Sequence, residues 1–242
     1  MTLAQRTSTA AELLGRIAGT HAPAVMATSF GVEDMVLLDI LAAHAPSIGV
    51  FTLDTGRLPE ETLELMDRAR ARYGIAFDVY FPDAAQVESY ARTHGANPFY
   101  DSVELRKRCC AIRKTEPLRR ALTGKGAWVT GLRRAQAVTR TDLPFEEYDG
   151  AHGLPKFNPL ADWSEDDVWA YVRAHDVPYN ALHDRGYPSI GCAPCTRAVA
   201  PGEDVRAGRW WWESPEHKEC GLHRRTVPIV RIATATRELT TS

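Results

Sequence analysis

No apolar run in this 242-residue sequence is long enough to span a bilayer. Its opening stretch, "MTLAQRTSTAAELLGRIAGT", lacks the basic-then-apolar layout of a secretory signal. The expectation is a cytoplasmic protein with no membrane partner. Net charge is only −2, so no global field calls for nucleic acid as a partner. Internal repeats and low-complexity segments are absent. The familiar phosphate loops are missing too, since neither G-x-x-x-x-G-K-[ST] nor G-x-G-x-x-G occurs. One D-T-G stands at residues 54–56 without a second D-[ST]-G, which excludes the paired carboxylates of an aspartic protease. Cysteines number five, an odd count that argues against a disulfide framework in a chain without an export signal.

What is present is an ordinary globular balance, 44% hydrophobic and 25% charged, in a length that suits one large domain or one domain with an appendage. Ala10, Leu13, Leu14 and Ile17 have the spacing of a short amphipathic helix. Strand-like runs at 22–28, 47–53, 77–81 and 127–131 alternate with helical patterns, including "EDMVLLDILAAH", a helix opened by Pro59 and one over 84–94. Such alternation implies βαβ units and a doubly wound, mostly parallel α/β sheet. Ser164 with Asp167 three positions on is a capping-box start for a further helix. Residues 1–175 are expected to form the α/β domain. Beyond residue 176 the periodicity dissolves into Pro, Gly, Cys and Trp, so 176–242 is expected to be an extended segment packed on that domain.

Charge is unevenly spread. Residues 104–140 carry eleven Lys or Arg against two acids, and Asp142 to Asp167 reverses this with eight acids against Lys156. Arginines beside glycine turns suit a small, highly charged anion. Two turns follow strand-like runs, where open α/β sheets bind ligands. In "ATSFGVED", Ser29 and Gly31 let backbone N–H groups approach a phosphate at a helix start. In "FTLDTGRLPEE", Asp54 and Gly56 fit contact with a nucleoside. "TGLRRAQAVTR" reads as an anion clamp when set beside the first turn. Cys109–Cys110 and the C-x-x-C of Cys192 and Cys195 suggest a four-thiolate metal site. Zinc is one candidate; a [4Fe–4S] cube better accommodates adjacent cysteines, because its separate irons can each take one thiolate. The fifth, Cys220 in "HKECGLHRR", stands among Lys218, His223, Arg224 and Arg225, cations that favour a thiolate.

Together these pieces resemble the phosphoadenylyl/adenylyl-sulfate reductase family, specifically its iron–sulfur-containing bacterial adenylyl-sulfate (APS) reductases. The carriers are "SFGVED", "LDTG", "CCAIRK", "GLRRAQAVTR", "NPLADW", "GCAPCTR", "GRWWWE" and "ECGLH", spread from residue 28 to His223. The resemblance implies an adenine-nucleotide α-hydrolase type of sheet domain, with "SFGVED" in place of the pyrophosphatase S-G-G-x-D-S. It implies that Cys109, Cys110, Cys192 and Cys195 hold a [4Fe–4S] cluster and that Cys220 is the nucleophile. Ser29, Gly31, Leu53, Asp54, Gly56 and Gly131 are then expected around the nucleotide, with Arg113 and Lys114 near both cluster and substrate. Arg133, Arg134, Arg140, Arg206 and Arg209 are expected to offset the phosphosulfate, and His223 to aid binding. The implied reaction reduces APS to sulfite and AMP through a cysteine S-sulfonate, with thioredoxin or a similar dithiol as the reducing partner, in sulfate assimilation and cysteine biosynthesis. A reductase for the 3′-phosphorylated substrate PAPS is the nearest rival. An iron–sulfur tRNA thiolation enzyme or a zinc-stabilised nucleotide-binding module are more distant ones, and a homo-oligomer stays open. Trp210, Trp211 and Trp212 are expected to anchor the C-terminal segment.

Overall fold

The computed structural model describes residues 1–136, 140–214 and Leu222. Six strands form one sheet in the order β3-β2-β1-β4-β6-β5. They are β1 (Ala24–Thr28), β2 (Gly49–Leu53), β3 (Phe77–Tyr80), β4 (Ala127–Val129), β5 (Glu146–Asp149) and β6 (Leu154–Phe157). Every pairing is parallel except β5 with β6. This is the doubly wound sheet expected from the alternating pattern.

Period-two alternation sorts the strand residues between two cores. Ala24, Met26, Val50, Ala127 and Val129 face the larger core, whereas Val25, Phe51 and Trp128 face the smaller. On the larger face lie α1 (Leu3–Thr20), α2 (Val32–His44) and α7 (Glu165–His175). The smaller face is covered by α6 (Glu116–Leu122) through Leu118, Ala121 and Leu122. The remaining helices are α3 (Glu60–Tyr73), α4 (Ala84–His94) and α5 (Val103–Cys110).

Helix boundaries follow from local chemistry. A reciprocal capping box between Thr2 and Gln5 starts α1, which runs longer than the short helix expected, and its Ala10, Leu13, Leu14 and Ile17 are all buried. The Ser164–Asp167 capping box starts α7 as the sequence suggested. Caps of this kind contribute about 1 kcal/mol each. Between α5 and α6 the chain takes a π-helical turn, Ala111–Thr115, so the helix widens just after Cys110.

The β5–β6 hairpin is the one piece of the sheet not foreseen. Its edge strand is acidic and alternates exposed with half-buried residues, and its partner carries Pro155, so neither has the apolar run that marks a buried strand. Lys156 is nevertheless buried, held by Glu147 at 2.9 Å and lying 5.3 Å from the Trp128 ring centre.

Connectivity sets the place where open α/β sheets bind ligands. From β1 the chain passes to β2 on one side, and it later returns to place β4 on the other. The carboxyl ends of β1 and β4 therefore diverge, and a crevice opens between Thr28–Ser29 and Thr130–Gly131.

Candidate active site

A pocket of about 570 Å³ occupies this crevice. Its apolar floor includes Phe51, Leu53, Leu118 and Trp128. Leu222 also lines the pocket, packed on the cluster that contains Phe51 and Trp128. Lys114, Arg140, Arg206 and Arg209 line it as cations. An apolar floor beside a group of positive charges suits a molecule with a flat base at one end and an anion at the other.

The first turn differs in detail from the expected phosphate cradle. Phe30 takes a left-handed conformation, φ 58°, and is buried with its ring 5.3 Å from that of Phe77. Backbone N–H and hydroxyl of Ser29 both donate to the Asp34 carboxylate, at 2.6 and 2.8 Å. The Gly131 N–H is a further donor to Asp34, and a Cβ on Gly131 would collide with the carboxylate. Burial, partly offset by these hydrogen bonds, raises the Asp34 pKa to about 6. Ser29, Gly31 and Gly131 do line the pocket, but the donors of Ser29 face a carboxylate of the same chain.

A second, small cavity adjoins the pocket. Cys109, Cys110, Cys192 and Cys195 all line it, drawn together from the end of α5 and from the Gly191–Thr196 stretch. Phe99 and Trp210 complete the apolar shell, and Arg57, Arg106, Arg113, Lys114 and Arg209 bring positive charge. Lys114, Arg209 and Trp210 line both spaces and so form their common wall. Burial raises the Cys195 thiol to about 12, with Cys192 and Cys110 adding repulsion, and raises Cys109 as well. Cys192 moves the other way: burial opposes ionisation, but Lys114, the Thr55 hydroxyl 3.3 Å away, Arg209 and Arg113 together outweigh it. Among the described residues, no group of three or more His, Cys, Asp or Glu is gathered tightly enough for a single metal ion.

The wall is built by specific packing. Gly191 has no side chain because the Arg209 guanidinium lies where a Cβ would stand. That guanidinium donates to Ser189 Oγ at 3.3 Å and to the Ile190 carbonyl at 3.1 Å. Arg106, wholly buried, makes a bidentate pair with Glu213 at 2.8 and 2.6 Å while lying 4.8 Å from the Trp210 ring centre. This pair ties α5, which carries two of the cysteines, to the "GRWWWE" stretch. Trp210 is buried as an anchor, whereas Trp211 stays 39% exposed.

Several expected contacts go elsewhere. Arg133 lines the pocket, yet its Nε and Nη2 donate to Glu33 and its Nη1 to the Trp163 carbonyl, so its charge is already matched. Arg134 does not line the pocket; it donates to the Leu143 carbonyl and lies over Phe145. Asp54 and Gly56 also stand outside the lining, closing their own turn through a Gly56 N–H donated to Asp54 at 2.8 Å. Gly56, with φ 67°, lets Arg113 pass to the Thr55 carbonyl, which puts Arg113 on the cysteine cavity alone. Cys220 and His223 lie outside the described residues. Asp34, Thr55, Glu33 and Ser189 went unassigned from sequence. Glu33 and Asp34 were the more accessible of these, as the two acids inside the quoted "SFGVED" turn.

Comparison with known proteins places the geometry. Residues 23–198 match the phosphoadenosine phosphosulfate reductase domain. An adenosine 5′-phosphosulfate reductase of Allochromatium vinosum is 58% identical over 93% of this chain and 88% of its own length. One from Neisseria meningitidis serogroup B is 54% identical over 92% and 91%. Among solved structures, a phosphoadenylyl-sulfate reductase of Candida auris superposes with a TM-score of 0.68 at 29% identity, over 81% of this chain and 96% of that one. The FMN adenylyltransferase of Candida glabrata, at 14% identity and a TM-score of 0.56 over 90% of this chain and 74% of that one, shares the fold. With a domain match that spans all six strands and such identity over nearly the whole length, the chain belongs to the phosphoadenosine phosphosulfate reductase family.

Proposed function

We propose that this chain is a cytoplasmic, thioredoxin-dependent adenylyl-sulfate reductase that converts APS to sulfite and AMP in sulfate assimilation and cysteine biosynthesis. The observation that carries this reading is the identity of 54% and 58% to relatives named for that activity, over 92% and 93% of the chain. In this reading the adenosine lies on the floor of Phe51, Leu53 and Trp128, bordered by Gly31 and Gly131. The phosphosulfate faces Lys114, Arg140, Arg206 and Arg209.

Cys220 is the nucleophile. Its thiolate attacks the sulfonyl sulfur, the bond from sulfur to the bridging phosphate oxygen breaks, and AMP leaves with that oxygen and the electron pair. Anion approaches anion in this step, so the rim cations must offset charge on both the thiolate and the departing phosphate. A thioredoxin thiolate then attacks the Cys220 sulfur and expels sulfite. The second thioredoxin thiol resolves the mixed disulfide, returning the Cys220 thiolate and leaving thioredoxin oxidised by two electrons. Leu222, two positions after Cys220, stands in the pocket, which supports bringing the nucleophile there. Residues 176–242 are accordingly read as a segment of the same unit as 1–175, which the buried Arg106–Glu213 pair supports.

Cys109, Cys110, Cys192 and Cys195 would hold a [4Fe–4S] cluster. The donor set fits: four thiols line one cavity, Cys109 and Cys195 pushed up by burial and Cys192 drawn toward its thiolate by Lys114, Arg209 and Arg113, and those cations with Arg57 would help to balance a thiolate-ligated cluster. When bound, such a cluster supplies charge that polarises the wall bearing Lys114. The test is steady-state turnover with thioredoxin, comparing APS with PAPS on anaerobically purified protein. APS should be reduced with the higher kcat/KM; a preference for PAPS would move the assignment to that substrate.

A further inference from the structure

The turn that follows β1 holds a carboxylate where a phosphate-binding turn offers donors. Asp34 accepts from the Ser29 N–H at 2.6 Å, from the Ser29 hydroxyl at 2.8 Å and from the Gly131 N–H. It thereby ties the carboxyl end of β1 to that of β4, the two sides of the crevice. Besides burial, the groups that act most on its charge are Ser29 and Gly131, which donate to it, and Glu33, which repels it. Glu33 is matched by Arg133 at 2.6 Å, so Asp34 is left as the negative charge of the turn. Phe30, with φ 58° and its side chain buried, keeps the turn closed over this arrangement.

We propose that Asp34 determines specificity by occupying the donors of the first turn, so that phosphate groups are refused there and left to Lys114, Arg140, Arg206 and Arg209. The proposal rests on the reading of the pocket as a nucleotide site. A phosphate seated at Ser29 would lose both hydrogen-bond donors and meet a carboxylate a few ångströms away, two penalties of the same sign. The nucleotide's charged end then has one favourable direction, toward the wall shared with the cysteines.

The test is calorimetry on the full chain with two probes, AMP and inorganic pyrophosphate, using wild type, Asp34→Ser and Asp34→Asn. AMP should bind all three within about threefold, while pyrophosphate should bind Asp34→Ser at least about tenfold more tightly than wild type, as expected for removal of one nearby like charge. Asp34→Asn removes the charge and keeps the shape, so it should show the same direction and stands in if Asp34→Ser fails to fold. Equal pyrophosphate affinity in all folded forms would overturn the proposal. So would a loss of AMP binding beyond about tenfold in Asp34→Asn at unchanged melting temperature, since that would make Asp34 a direct nucleotide contact. Failure of AMP to bind wild type would sink the nucleotide reading, and the pyrophosphate comparison would still decide whether Asp34 excludes anions.

Discussion

Lys114 and Asp34 show how single side chains divide the work of the pocket. Lys114 stands on the wall between the pocket and the cysteine cavity, and it is among the groups that pull Cys192 toward its thiolate. Lys114→Ala should lower kcat/KM for APS by about 100-fold or more, the scale of removing a preorganised charge from a transition state. Iron content should be unchanged; unaltered turnover with full iron would remove Lys114 from the mechanism. Asp34 carries a stability signature of its own. Its pKa rises from the ordinary 3.8 to about 6, because burial outweighs its hydrogen bonds, with Glu33 adding repulsion. A raised folded-state value means the folded protein holds the proton more tightly. Its contribution is therefore fully present below pH 3.8 and is lost as pH rises through about 6. At neutral pH the ionised carboxylate costs about 3 kcal/mol. Asp34→Asn should flatten the fall in melting temperature between pH 4 and 6.5, and an unchanged slope would contradict the assignment. Cys109, Cys110, Cys192 and Cys195 were legible as a group because residue type and pairing alone mark a thiolate site. Asp34 was not, because its role depends on the closeness of Ser29 and Gly131 rather than on any spacing.

At the scale of elements, a buried ion pair ties the described part of the C-terminal stretch to α5. Arg106 and Glu213 leave side-chain exposures of 1% and 2%, so removing either partner strands a charge out of water. Glu213→Ala should cost about 3–5 kcal/mol in urea unfolding, whereas an Arg106→Met/Glu213→Leu double variant should recover much of that loss. A single-variant loss below about 1 kcal/mol would show that the clasp is not closed in solution. The same scale explains what the sequence could and could not convey. β1 to β4 and the large helices announced themselves by apolar runs and periodicity. The β5–β6 hairpin did not, since an acidic edge strand and a proline-bearing partner are stabilised by pairing with β4 rather than by their own propensity. Arg133 and Arg134 illustrate the same limit within a motif: "GLRRA" reads as a clamp, yet Glu33 and the Leu143 carbonyl claim their guanidinium groups.

For the molecule as a whole, the doubly wound sheet does two things at once. Its strand-order reversal opens a pocket lined by apolar residues and cations, and a four-cysteine cavity, two of whose cysteines end the helix before the π-helical turn, stands against the wall of that pocket. The wall they share, formed by Lys114, Arg209 and Trp210, is where, in the proposed reading, an anionic substrate would come closest to the four cysteines. The basic 104–140 stretch contributes to both spaces, with Arg106 and Arg113 on the cysteine cavity, Arg133 and Arg140 on the pocket and Lys114 on both. What remains is to place the reacting sulfur on Cys220. The direct measurement is intact-protein mass spectrometry of anaerobically purified chain mixed with APS in the absence of thioredoxin. A single added sulfonate, mapped to Cys220 and discharged on adding thioredoxin, is the expected result. No adduct on Cys220, in protein whose four-cysteine site is full of iron, would contradict the account.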